Sequence, residues 1–159
     1  MNISDILQAK RIFRGEAQEA IKTSIQDFLK RHPLLKEISW SHGDHYNDET
    51  YFFSFSGLSF QLEPELHKTM ATSEWAAKYP FPIYANRSRW EDRHYKNAEE
   101  YPEAYADGKL ASALEELIKL DNEFRNLDAE LVDIFCTSDE KCTFVTVTPD
   151  SFETKERYF

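Results

Sequence analysis

The first thirty residues carry apolar side chains at the spacing of an α-helix. These side chains recur every three or four positions, with a few additional neighbours, at Ile6, Leu7, Ala9, Ile12, Phe13, Ala17, Ala20, Ile21, Ile25, Phe28 and Leu29. Ser4 is a suitable N-cap, and His32-Pro33 ends the pattern because a residue before proline is disfavoured in the helical conformation. The pattern predicts one amphipathic helix over about 5–31, with these residues in a single stripe.

The next thirty residues alternate between apolar and polar positions, as β-strands do. Strands are predicted over 37–41, 51–56 and 58–62. Gly57 marks a turn or a bulge between the second and the third strand. The polar run 42–49 has the composition of a turn and is predicted to form a loop. Connections this short favour antiparallel pairing.

Residues 64–108 contain many aromatic residues and prolines but no long helical repeat. The prolines exclude a long helix, and this number of rings favours burial. We expect short helices and ordered loops packed over the sheet, with Thr72 or Ser73 capping a turn through Tyr79. The stretch is predicted to be an irregular insertion within a single domain of residues 1–159, and it is also a candidate binding surface.

The last fifty residues predict two helices and then two strands. The helices are expected over 109–120, with Glu115, Glu116 and Lys119 outward, and from Asp128 as a cap to about Phe135. Strands are expected near 142–148 and 152–158, separated by a turn at Pro149-Asp150. Blocks of helix around runs of strands are typical of an α+β fold. We predict an antiparallel sheet of about five strands, covered by the long amino-terminal helix and one or two helices of the second half.

Charge is distributed unevenly along the 159 residues. The chain has 29 acidic and 19 basic residues and a net charge of −10. Residues 1–60 contain 7 basic and 8 acidic side chains, whereas residues 61–159 contain 12 and 21. Direct binding to nucleic acid needs clustered lysine and arginine, which this composition does not favour. A basic protein surface is therefore the expected partner.

The sequence also bears on location and on the two cysteines. No stretch approaches the roughly 20 apolar residues of a membrane span, and the first residues lack the basic and then apolar order of a signal peptide. We expect a cytoplasmic protein without a membrane partner. Cys136 and Cys142 are expected to be free thiols, because a structural zinc site needs four ligands. The oligomeric state stays open.

Several short motifs occur together in this chain. They are Phe28, Pro33, Ile38-Ser39-Trp40, Tyr46-Asn47-Asp48 and Phe53-Ser54-Phe55, and later Ile134-Phe135, Val145-Thr146-Val147-Thr148, Pro149-Asp150 and Tyr158. In these motifs, which cover about half of its length, the chain resembles a group of small uncharacterised proteins of bacteria and their viruses. Glu49 and Cys136 stand where the group tends to have glycine. The resemblance implies a fold and a phage-related context, and it implies no activity.

The polar run contains candidate metal ligands. His42, Asp44, His45 and Asp48 lie within seven residues, and imidazole with carboxylate suits zinc or iron. A metal-dependent hydrolase with Glu49 as the base is the alternative hypothesis. The spacing matches none of the helical metal-binding signatures, and two histidines on a loop do not define a geometry. No other cofactor is predicted.

The preferred hypothesis is a non-enzymatic binding or inhibitor protein that docks onto a basic surface. The expected aromatic anchors are Trp75, Tyr79, Trp90 and Tyr95, and the expected charges are Glu99, Glu100, Glu103 and Asp107. Imitation of the charge spacing of nucleic acid is one form of such docking. The competing explanation is that the net charge only keeps the protein in solution.

Overall fold

The computed structural model describes residues 2–44, 53–78, 83–85, 108–136 and 141–158. Its helices are α1 (Ile3–Arg31), α2 (Pro64–Met70), α3 (Glu74–Lys78), α4 (Lys109–Asn126) and α5 (Asp128–Phe135). Its strands are β1 (Leu35–Asp44), β2 (Phe53–Phe55), β3 (Ser59–Leu62), β4 (Ile83–Tyr84), β5 (Lys141–Val147) and β6 (Phe152–Tyr158). Among these helices, none combines the length and the apolar character that crossing a bilayer requires.

The strands form one antiparallel sheet with the order β4-β3-β1-β5-β6. β2 and β3 both pair with β1. β2 pairs with the last residues of β1, and β3 pairs with its earlier residues. Gly57, with φ +92°, lies at the break between them, as the sequence predicted. The observed architecture confirms the prediction of an α+β fold with a long amino-terminal helix.

One face of the sheet is apolar and meets the helices. Ile38 and Trp40 of β1 and Val145 and Val147 of β5 alternate onto this face, and all four are buried. Phe144, which alternates onto the other face, is 38% exposed. The helices complete the core with Ile25, Phe28 and Leu29 of α1, Leu110, Leu114, Leu117 and Phe124 of α4, and Leu131 and Phe135 of α5.

α1 begins two residues before its predicted start, because Asn2 and not Ser4 is the N-cap. The Asn2 side chain accepts a hydrogen bond from the Asp5 amide at 2.9 Å, and the Asp5 carboxylate accepts one from the Asn2 amide at 3.1 Å. This reciprocal pair is a capping box. At the other end the helix stops at His32, before Pro33, as predicted.

The predicted apolar stripe along α1 is buried in its second half and exposed in its first half. Ile25, Phe28 and Leu29 are buried, but Ile6, Leu7, Ile12 and Phe13 are all more than half exposed. Ile12 also lies on another face of α1 than Ile6, Leu7 and Phe13, so its place in the predicted stripe is wrong. The spacing of the other residues shows that they share a face, and it does not show whether another element covers that face.

Part of the aromatic, proline-rich stretch is regular. It forms α2, α3 and the edge strand β4, which pairs with β3. Ser73 caps α3, because its hydroxyl accepts a hydrogen bond from the Ala76 amide at 3.1 Å, which confirms one of the two predicted caps. Met70 and Ile83 are buried in the core, so this part contributes to folding. Tyr79 and most of 86–108 lie outside the described residues.

The carboxyl-terminal elements follow the sequence prediction closely. α4 is longer than predicted, and Leu127 rather than Asp128 occupies the N-cap position of α5. β5 and β6 form the predicted hairpin. The Thr148 hydroxyl accepts a hydrogen bond from the Ser151 amide at 3.0 Å, which stabilises the turn at Pro149-Asp150.

Candidate functional site

The predicted loop at 42–49 begins as a strand, and this changes the role of His42. β1 continues to Asp44 because it pairs with β2 on one side and with β5 on the other, at His42 opposite Phe55 and Thr143. The alternation along β1 places His42 on the apolar face with Trp40. His42 is fully buried, and its ring stacks on Phe135 at 5.7 Å between centroids. Cross-strand pairing has overridden the local turn composition.

The position of His42 bears on the metal hypothesis. The Trp40 indole N–H donates to His42 Nε2 at 3.0 Å. A ring nitrogen that accepts a hydrogen bond has no lone pair left for a metal ion, so Nε2 serves the core in this structure. Asp44 lies at the end of β1, while His45 and Asp48 lie outside the described residues. Within the described ranges, no group of three or more His, Cys, Asp or Glu side chains is arranged as a metal site.

Of the predicted aromatic anchors, Trp75 lies within the described residues. It lies on α3 between Glu74 and the buried Ala76, and 55% of its surface is exposed. Tyr79, Trp90 and Tyr95 lie outside the described residues, as do the predicted carboxylates Glu99, Glu100, Glu103 and Asp107. Among the site residues of the preferred hypothesis, Trp75 is therefore the one that lies within the described part of the chain.

Glu116 of α4 is neutralised by the end of α1. Its carboxylate lies 2.8 Å from Arg31 Nη1 and 2.6 Å from His32 Nε2. Partial burial would raise the pKa of Glu116, but the hydrogen bonds from His32 and Arg31 and the Arg31 charge outweigh it and lower the pKa below its ordinary value. Glu116 therefore ties α4 to α1 and adds little to the outward field.

Asp121 is a second carboxylate with a structural role. It is buried, accepts a hydrogen bond from the Leu58 amide at 2.7 Å, and accepts another from Arg125 Nε at 2.7 Å. A buried charge is tolerated when it is paired and hydrogen-bonded in this way. Two of the acids that give the second half its charge are therefore compensated inside the fold.

Other carboxylates of the second half remain at the surface. Those that are exposed and take part in none of the ion pairs between described residues include Glu74, Glu123, Glu130 and Asp133. Glu115 pairs with Lys119 one turn away, but both side chains are more than 70% exposed, and such pairs contribute little. These acids carry the negative charge that a partner would meet.

Clefts beside α1 that are lined by described residues include a larger and a smaller one. One, of about 670 Å³, is lined by Arg31 and Lys109 together with apolar groups such as Leu34 and Ala113. The other, of about 160 Å³, lies between α1 and α5. Arg31 in the larger cleft already pairs with Glu116, and the described residues that line this cleft include none of the predicted docking residues.

The two thiols are free, as predicted. Burial raises the pKa of Cys136 above its ordinary value of 9.0, which outweighs the hydrogen bond from Thr143 and the charge of Arg14. A thiol with a raised pKa is a poor nucleophile at neutral pH.

The sequence prediction missed the exposed amino-terminal half of α1, with Ile3, Ile6, Leu7 and Phe13. The apolar pattern is longer than one small sheet can cover, and this length could have indicated that part of the helix stays exposed.

Comparisons of this chain with models of protein families, with curated proteins and with solved structures found no match.

Proposed function

We propose that this chain is a non-enzymatic cytoplasmic binding protein that docks onto a basic protein surface. The observation that carries the proposal is Trp75, a large aromatic side chain that stays 55% exposed on a helix whose neighbouring residue Ala76 is buried. Tryptophan is enriched among the residues that dominate binding energy at interfaces. Glu74 beside it is exposed and in no ion pair between described residues, so an aromatic anchor and a carboxylate stand together.

The charge of the molecule supports a basic partner. The net charge is −10, and surface carboxylates such as Glu74 and Glu123 are not compensated by described cations. Complementary charge accelerates encounter and selects among partners more than it tightens the complex. Occupation of a basic surface that otherwise contacts nucleic acid would make the protein an inhibitor of that partner, and this mimicry belongs to the proposal.

A metal-dependent hydrolase does not form part of this proposal. His42, its first proposed ligand, is buried and uses Nε2 to accept the Trp40 indole N–H.

The test is capture of partners from an extract of the native host on immobilised protein, at about 0.05 M and about 0.5 M salt. We expect a basic protein that is retained only at low salt. Trp75→Ala should reduce its retention, and Phe144→Ala, an exposed aromatic residue on the open face of the sheet, should not. Glu74→Gln should also weaken retention, whereas Glu65→Gln should not, because Glu65 already pairs with Lys68.

A captured set without a basic protein would remove the charge argument. If Trp75→Ala and Phe144→Ala reduced retention equally, the proposal that the partner docks onto α3 would be wrong.

A further inference from the structure

The amino-terminal half of α1 presents an apolar stripe outside the core. Ile3, Ile6, Leu7 and Phe13 are 76%, 53%, 51% and 66% exposed. They follow one another at intervals that place them on one face of the helix, and the same face buries against the core at the other end of α1. Clustered apolar side chains of this size mark an interaction surface, whereas single ones do not. We name these four residues the α1 stripe.

α5 borders the α1 stripe. Arg14 Nε and Gln18 Nε2 donate to the Ile134 carbonyl at 2.6 and 2.7 Å, which holds the middle of α1 against the end of α5. The cavity of about 160 Å³ opens beside this contact and is lined by Lys10, Phe13, Arg14, Glu130, Asp133 and Ile134. The stripe therefore continues, through Phe13, into a small depression with a charged rim.

Both signs of charge surround the α1 stripe. Lys10, Arg11 and Arg14 lie on α1, and Glu130 and Asp133 lie on α5. None of the ion pairs between described residues includes any of these five groups. Arg14 donates to the Ile134 carbonyl, and the other four groups are exposed.

The mixed charge around the α1 stripe favours some kinds of binding partner over others. A basic protein would be repelled by Lys10 and Arg11, and an anionic membrane would be repelled by Glu130, Asp133 and the net charge of −10. A patch that carries both signs is complementary to itself when a two-fold axis passes between its cations and its carboxylates, because the rotation then sets the cations of one copy against the carboxylates of the other.

We propose that the α1 stripe is a homodimer interface, in which two copies of this chain pack their α1 helices together about a two-fold axis. The apolar residues form the centre of the contact, and Lys10 of one copy lies against Glu130 of the other at its rim. This contact uses residues other than Trp75 and Glu74, so it stands apart from the docking proposed above.

Ile12 supplies a matched control for the stripe. It is 55% exposed, nearly the same as Ile6, but it lies three, four or seven residues from no member of the α1 stripe, and therefore on another face of α1. An aspartate at either position places one charge on an exposed site of the same helix. Neither change removes a core contact.

The first experiment is sedimentation velocity of the full chain from about 1 µM to about 1 mM, a range that brackets weak dimers. We expect the mass to rise from 18.7 kDa toward twice that value with concentration. Ile6→Asp should weaken association at least about tenfold, because it places a charge in the desolvated centre, and Ile12→Asp should leave it unchanged. Circular dichroism checks that both variants keep the fold.

The second experiment tests the charged rim with separate chains. Lys10→Glu and Glu130→Lys should each weaken self-association, since each turns both symmetric contacts into repulsion. An equimolar mixture of the two variants should associate more tightly than either variant alone, because both contacts become attractive again. An effect confined to one chain could not restore association in the mixture.

The proposal is overturned if the wild-type chain stays monomeric at about 1 mM, or if Ile6→Asp and Ile12→Asp weaken association equally. A mixture that associates no better than the separate variants would also overturn the proposed pairing of Lys10 with Glu130.

Discussion

Gly57 joins β2 to β3 directly above α4. Its φ of +92° lies in the region that glycine adopts without strain, and a Cβ atom there would stand 2.5 Å from Arg125 Nη2. The next residue, Leu58, donates its amide to Asp121, which also holds Arg125. The sequence predicts a turn or a bulge at Gly57, but not the carboxylate and guanidinium that meet it, because these lie more than sixty positions away.

We expect Gly57→Ala to lower the free energy of unfolding by about 1–3 kcal/mol, through backbone strain and displacement of Arg125. Urea denaturation measures this loss. Gly15→Ala is the matched control: Gly15 lies within α1, and a Cβ atom there would have no neighbour within 4 Å, so alanine should raise stability by about 0.5–1 kcal/mol. Changes of the same sign at both positions would contradict the explanation.

At the scale of elements, the two ends of α1 have different roles. Its carboxyl-terminal turns bury Ile25, Phe28 and Leu29, and Arg31 and His32 hold Glu116 of α4. Its amino-terminal turns extend past the core with their apolar side chains exposed. The helix was predictable from its periodicity, whereas its partners were not, because a repeat of apolar positions does not specify which element covers them.

The tie between α1 and α4 should depend on pH. The pKa of Glu116 is lowered in the fold, so its contribution is present above the ordinary value of 4.5 and is lost as the pH falls through the lower folded value. Because the side chain is 40% exposed, we expect Glu116→Gln to cost less than about 1 kcal/mol at neutral pH and nothing in strong acid. Urea denaturation from pH 7 to pH 3 measures the difference.

Glu37 is the control with the opposite sign. Burial, and then the charge of Glu153, raise the pKa of Glu37, so its ionised form opposes folding above the folded pKa and not below 4.5. Glu37→Gln should therefore stabilise the protein at pH 7, with the gain fading in acid. Parallel pH profiles for Glu37→Gln and Glu116→Gln would contradict both assignments.

At the scale of the whole molecule, folding redistributes the charge that is lopsided along the chain. Arg31, from the nearly neutral first part, meets Glu116 of the acidic second part across 85 positions. Lys10 and Arg14 likewise line a cavity with Glu130 and Asp133. Among the described residues, the negative field belongs to the exposed carboxylates that no described cation pairs with, such as Glu74 and Glu123, and not to the second part as a block.

We expect added NaCl to stabilise the protein. The net charge of −10 repels itself, and raising the salt from about 0.01 M to about 0.1 M shortens the screening length from about 30 Å to about 10 Å. Exposed pairs such as Glu115 with Lys119 contribute too little for their screening to reverse this effect. Calorimetric melting at the two salt concentrations measures the rise in Tm.

The combined change Glu74→Gln and Glu123→Gln should reduce this rise in Tm, because it removes two exposed charges that pair with no described cation. The same change at Glu19 and Glu65, which pair with Lys22 and Lys68, is the control and should reduce it less. A Tm that falls with salt would show that the ion pairs outweigh the repulsion.

The sequence by itself determined the elements whose pattern is local. The repeat of three and four along α1 and α4, the alternation in β5 and the turn at Pro149-Asp150 depend on neighbours in the chain, and the structure confirms each of them. The α+β class followed from their order.

Only the tertiary structure decided what lies inside and what remains in water. His42 is a core residue because Trp40 and Phe135 surround it and two strands extend β1 through it. The amino-terminal half of α1 is exposed because the core contacts only the carboxyl-terminal half of this helix, where Ile25, Phe28 and Leu29 are buried. Contacts between residues far apart in the chain determine which side chains are buried, and a local sequence pattern does not specify these contacts.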